Sequence, residues 1–258
     1  DVYKRQYLYY GNSSATDAQN AASVWSNGFV GVWLLNDPQN TTTVLDSATD
    51  PSQENGTSLA GITNASKIQS GIGGALVFNA LTTDYVTLGT PEALNLTPNS
   101  QEFTIDAWVK LPINATGTFF TKGQSTAANI QYEMYVSGNT LNSRVGGTAR
   151  NSNLIIADGN WHHIVLRNYN SAGFKFSQYV DGTLGNTFVA SGAGISTFDT
   201  LIGARRNTTN ANVTSSLTLN TQMSMVRIAN VARTPAWISA TFKSEANDFV
   251  TLGTEEFK

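Results

Sequence analysis

Two histidines sit side by side at His162-His163, inside W-H-H-I-V-L-R, and they are the only histidines in the chain. Adjacent residues of a strand point to opposite faces, so the pair cannot share a metal, and two histidines cannot supply a three-histidine zinc site. A serine-histidine-aspartate relay would need an activated serine, and no G-x-S-x-G elbow occurs. His163, in phase with Trp161 and Val165, is expected to be a buried, hydrogen-bonded residue. Retaining glycoside hydrolysis needs two carboxylates about 5 Å apart. Glu102 and Asp106 have the even spacing that puts two side chains on one strand face. Glu102 stands at the strand entrance, however, so the pair is read as an edge charge and a surface hydrogen bonder. Gly71-Ile72-Gly73-Gly74 lacks the Lys-Ser/Thr and helix of a phosphate loop and precedes a strand. Sugar recognition uses aromatic rings against apolar sugar faces and polar side chains on hydroxyls. The residues of those types are Tyr132, Glu133, Tyr135 and Arg144 on two middle strands, with Trp108 and Tyr179. Arg205 and Arg206, near a strand end, can join their rim.

The elements that must hold these groups are strands. Phe103–Leu111 alternates so that Phe103, Ile105, Ala107 and Val109 share a face expected to meet the core, with Thr104, Asp106, Trp108 and Lys110 opposite. Asp158-Gly159 and Asp181-Gly182 supply residues that tolerate positive φ in tight turns around two further strands. Other strands are expected at 30–35, 75–79, 84–88, 117–121, 131–136, 141–145, 154–156, 161–167, 174–180, 200–203 and 223–229. Ser14 or Thr16 is expected to cap a short helix ending at Asn27-Gly28. Thr234-Pro235 should open another, burying Trp237, Ile238, Thr241 and Phe242. Asn36–Thr63, rich in Asn, Thr and Ser, reads as a long loop. D-Y-V-T-L-G-T at 84–90 returns as D-F-V-T-L-G-T at 248–254, two strands in like environments and not a repeat array. The fold class is therefore all-β: a two-sheet antiparallel β-sandwich with one or two short helices.

The chain has 258 residues, no cysteine, 13% charged residues and a net charge of -3. Disulfides, thiolate metal sites and cysteine nucleophiles are excluded. Arg205-Arg206 is the densest basic pair, so nucleic acid is not an expected partner. No apolar run is long enough to span a bilayer, and any membrane association would come from parts of a longer protein. D-V-Y-K-R-Q at residues 1–6 matches the translation of a transposon-type sequencing adapter and is expected to be foreign, as in a fragment assembled from environmental DNA.

The ordered segments carry a resemblance. They are Asp46-Ser47 followed by Asn55-Gly56-Thr57, then G-I-G-G-A-L-V-F-N at 71–79, D-Y-V-T-L at 84–88 and F-T-I-D-A-W-V-K at 103–110. F-F-T-K-G at 119–123, D-G-N-W-H-H-I-V-L at 158–166, Y-V-D-G at 179–182, L-I-G-A-R at 201–205 and V-R-I-A-N-V-A-R-T-P-A-W-I at 226–238 complete the set. In this order they resemble the LamG-like jelly-roll domains of the concanavalin A-like lectin/glucanase superfamily, over residues 30–258. Residues 7–29 resemble the tail and linker of an uncharacterised extracellular domain that often precedes such modules. The resemblance implies a recognition module, without catalysis, in a secreted or cell-surface bacterial or archaeal multidomain protein, with a glycan or extracellular protein as ligand. A structural or adhesive module is the alternative. A glycoside hydrolase comes third, because the E-x-D-x-x-E strand of the superfamily's glucanases is absent. No cofactor is required. The family's usual Asp-Glu before V-R-I is replaced by Ser224-Met225, so a structural calcium ion would fall to Asp46, Asp50 and Asn55.

Overall fold

The computed structural model describes residues 12–16, 20–37, 41–48, 53–59, 61–70, 72–124, 130–146, 148–189, 195–207 and 213–246. Helix α1 (Ala21–Val24) is followed by β1 (Phe29–Trp33), β2 (Thr43–Val44), β3 (Gly56–Leu59), β4 (Lys67–Ser70), β5 (Gly73–Phe78) and β6 (Tyr85–Gly89). The middle of the chain forms β7 (Phe103–Lys110), β8 (Gly117–Gly123), β9 (Ile130–Ser137), β10 (Thr140–Val145), β11 (Thr148–Ile155), β12 (Trp161–Asn170), β13 (Phe174–Val180) and β14 (Thr183–Val189). The rest is β15 (Thr200–Ile202), β16 (Ala204–Arg206), β17 (Val213–Thr218), β18 (Thr221–Ala229) and α2 (Pro235–Glu245).

Two antiparallel sheets face one another. The first runs β14-β13-β12-β7-β18-β5-β4, with β1 also on β18; the second runs β11-β10-β9-β8-β15-β6-β3-β2. Period-two alternation builds the core between them. Phe103, Ile105, Ala107 and Val109 of β7 and Ile164 and Leu166 of β12 meet Tyr132, Met134 and Val136 of β9. A bulge in β8 between Thr118 and Phe120 sends both Phe119 and Phe120 into this core. The turn between β13 and β14 is Asp181-Gly182, both with positive φ (51° and 73°), as a two-residue hairpin requires.

The helices and the polar loop differ from expectation. Helix α1 is one turn, opened not by Ser14 or Thr16 but by Asn20, whose side chain accepts from Ser23 N at 3.0 Å. Within the stretch read as a loop, β2 pairs with β3, which pairs with β6, and Asp46 bridges Trp33. These short strands carry too few apolar residues to show a period. The second copy of the D-x-V-T-L-G-T sequence lies outside the described residues. Helix α2 starts as its sequence predicts: Thr234 Oγ1 accepts from Trp237 N at 3.1 Å and proline follows. It lies on the outer face of the first sheet, so β7 is buried on both sides. Ile238 joins Val165 and Tyr179 there, with Trp237 against them.

Candidate functional site

Four of the sequence candidates, Glu133, Tyr135, Arg144 and Arg205, come together on the outer face of the second sheet. In β9 the core takes Tyr132, Met134 and Val136, so Glu133 and Tyr135 point outward. Register then sets their neighbours: Arg144 of β10 lies opposite Glu133, and Thr118 of β8 lies opposite Tyr135. Arg205 comes from β16, which leaves β15 through Gly203. There φ is 82° and any Cβ would fall 2.5 Å from the Phe78 ring, so only glycine lets the chain turn at this point.

Glu133 has a side chain with no exposed surface. Its Oε2 accepts from Arg144 Nη1 at 2.7 Å, and its Oε1 accepts from Arg205 Nη1 at 2.9 Å and from Thr118 Oγ1 at 2.9 Å. The arginine side chains remain 18% and 19% exposed. The Arg144 guanidinium sits 5.5 Å from the centre of the half-buried Tyr135 ring. Burial raises the Tyr135 hydroxyl above its usual pKa, and Arg144 and Arg205 offset part of that rise. The outcome is a carboxylate sealed beneath two guanidiniums, with an aromatic ring beside them. This arrangement fixes the donors and leaves them open to a ligand. A metal is disfavoured, because the arginines occupy both carboxylate oxygens.

The other sequence candidates separate from this cluster. Tyr132 is in the interior, stacked on Phe120, its hydroxyl donating to Leu94 O at 2.7 Å, so it offers a ligand no surface. Trp108 and Tyr179 are on the opposite sheet under α2, both 3% exposed. Trp108 stacks on Phe242 and donates from Nε1 to Glu245 Oε2 at 2.6 Å. Arg206 pairs with Asp199, whose carboxylate also accepts from Thr87. Asp46 spends its carboxylate on the backbone amides of Val32, Ala48 and Glu54, while Asn55 Oδ1 accepts from Asp46 N at 2.8 Å. These two therefore tie β1 to the following loop, and Asp50 lies outside the described residues.

Asp106 is not a surface group. It is 2% exposed, paired with Arg227 across β7 and β18, and its Oδ1 lies 3.1 Å from His163 Nε2. Burial alone would raise the Asp106 carboxyl, but Arg227 and His163 outweigh that and hold it below the usual range. Arg227 also pairs with Glu245 of α2. The register shift between Ser224 and Arg227, with Met225 at φ 48°, sets Arg227 opposite Asp106. Glu102 is exposed and accepts from Asn170 N at 2.9 Å, apart from this network. His163 is fully buried, as its phase predicts. Arg227 and Glu245 were not legible as partners, because 121 and 18 residues separate the bonded pairs and no local period links them.

None of the curated proteins matches the chain. Among solved structures, the binding domain of Paraclostridial Mosquitocidal Protein 1 is 12% identical with a TM-score of 0.64, over 85% of this chain and 53% of that one. A Trypanosoma rangeli sialidase in complex with sialic acid is 15% identical with a TM-score of 0.57, over 85% of this chain and 33% of that one. This chain thus spans about half the length of that binding domain and a third of the sialidase, and at these identities what is shared is the fold. A family profile described as concanavalin A-like lectin/glucanases superfamily, Laminin_G_3, matches residues 80–239. That stretch holds the central strands of both sheets and the start of α2, and the chain belongs to this superfamily.

Proposed function

We propose that this chain is a non-catalytic recognition module that binds a glycan on the outer face of its second sheet, in a secreted or cell-surface protein. The observation that carries the reading is the Glu133 cluster: Tyr135 offers a partly exposed ring, and Arg144 and Arg205 offer fixed N–H donors beside it. Ring and donors together match what a sugar presents, an apolar face with polar groups at its edge. Glu133 argues against hydrolysis. It faces two arginines, whereas bond cleavage needs a second carboxylate across a gap. One of the similar solved structures is itself the binding domain of a mosquitocidal protein, which agrees with a binding role.

Screening on glycan arrays and insoluble polysaccharides tests this. Binding is expected, and Tyr135→Ala should weaken it by about tenfold, as loss of a stacking ring does. Silence on every neutral and charged glycan would reject the reading. Capture of a protein ligand on the same face would favour the adhesive alternative.

A further inference from the structure

The charges in the cluster do not balance. Glu133 supplies one negative charge; Arg144 and Arg205 supply two positive ones. Each guanidinium carries about five N–H donors, and the bonds to Glu133 use few of them. Arg205 Nε is buried and has no hydrogen-bond partner among the described residues, so the ligand-facing donors of this fork are its Nη groups. The surplus is local, because the whole chain has a net charge of -3. A cation is repelled by the two guanidiniums. A neutral hydroxyl could take one N–H but would leave the excess charge uncompensated.

We infer that the ligand carries an anionic group, a carboxylate or a sulfate ester on the saccharide, which docks on the Arg144–Arg205 pair beside Tyr135. This rests on the glycan-binding reading and narrows it to acidic sugars. The planar fork of arginine matches a carboxylate or sulfate with two parallel hydrogen bonds, which lysine cannot reproduce. Glu133 is then a positioning residue: it orients both forks from below and does not touch the ligand.

The test compares paired probes by calorimetry on the wild-type protein: oligogalacturonate against its full methyl ester, and a sulfated galactan oligosaccharide against its unsulfated form. At least one charged probe should bind about tenfold tighter than its neutral partner, and which pair shows the difference tells carboxylate from sulfate. Arg144→Lys and Arg205→Lys keep the charge over Glu133, and with it the fold, but should reduce that preference about fivefold. Tyr135→Ala should weaken charged and neutral probes alike. Equal binding within both pairs, or binding to neutral array glycans alone, overturns the inference and leaves the glycan reading standing. So does a preference that survives both lysine substitutions, since the anion would then sit elsewhere. Silence from every saccharide rejects both.

Discussion

Glu133 and Asp106 are both sealed carboxylates, and their partners give them different roles. Asp106 answers to Arg227, itself 2% exposed, and to His163, so these three groups are sealed from solvent and the network emerges at Glu245 of α2. Its worth is structural. Asp106→Asn leaves the Arg227 charge with Glu245 alone and should cost about 3–5 kcal/mol in urea unfolding. Glu133→Gln removes the counter-charge between two arginines that still reach solvent, and should cost less, about 1–3 kcal/mol. Equal costs would mean that the two arginines of the outer face are as desolvated as Arg227. The sequence reveals half of each cluster. Glu133 and Tyr135 share a face by spacing alone, and a tight hairpin brings Arg144 opposite. Arg205 is legible as a rim residue, but its bond to Glu133 depends on the turn at Gly203, and Asp106 looks like a surface group until α2 is laid over it.

At the scale of elements, that helix is what alternation along a strand cannot reveal. The period of β7 places Phe103, Ile105, Ala107 and Val109 inward, and they are. It places Trp108 outward, which is also correct, but outward here means beneath α2, against Phe242 and His163. A strand's pattern states which side a residue faces and is silent on what covers that side. The start of α2 is legible from Thr234-Pro235 because a cap is local chemistry; its docking site is not. Ile238 is fully buried in the small cluster with Val165 and Tyr179. Ile238→Ala should therefore cost about 2–4 kcal/mol, and Thr234→Ala about 1 kcal/mol through loss of the cap. Both are checked by thermal or urea unfolding. If Ile238→Ala proved neutral, α2 would not be an integral cover of the first sheet.

Across the whole molecule, titrating groups bound the pH range in which the sandwich is most stable. His162 stands at the end of β12 with Nδ1 2.7 Å from Asp181 and Nε2 3.0 Å from Asp158. A protonated ring can donate to both carboxylates; a neutral ring donates to one and turns a lone pair on the other. Burial opposes the charge, but the hydrogen bonds to Asp181 and Asp158 outweigh it, and the His162 pKa is raised. A raised histidine stabilises fully below its unfolded value, about 6.5, and loses that contribution as pH climbs through the folded value. The carboxyls act in the other direction. Asp158 is lowered to about 2, chiefly by the Asn160 backbone amide and then by His162. Asp199 is lowered too, its hydrogen bonds to Arg206 and Thr87 overcoming burial. Such groups stabilise above their unfolded value, about 3.9, and lose the contribution as pH falls through the folded value. Maximal stability is thus expected between about pH 4 and 6.5, with Tm declining as pH rises towards 8.5. His162→Gln cannot titrate and should flatten that alkaline decline, while the acid limb keeps the share set by the Asn160 amide and by Asp199. A wild-type Tm that holds steady or climbs from pH 6.5 to 8.5 would show that the two aspartates do not bind the ring as a cation. An unchanged decline in His162→Gln would assign it to another group.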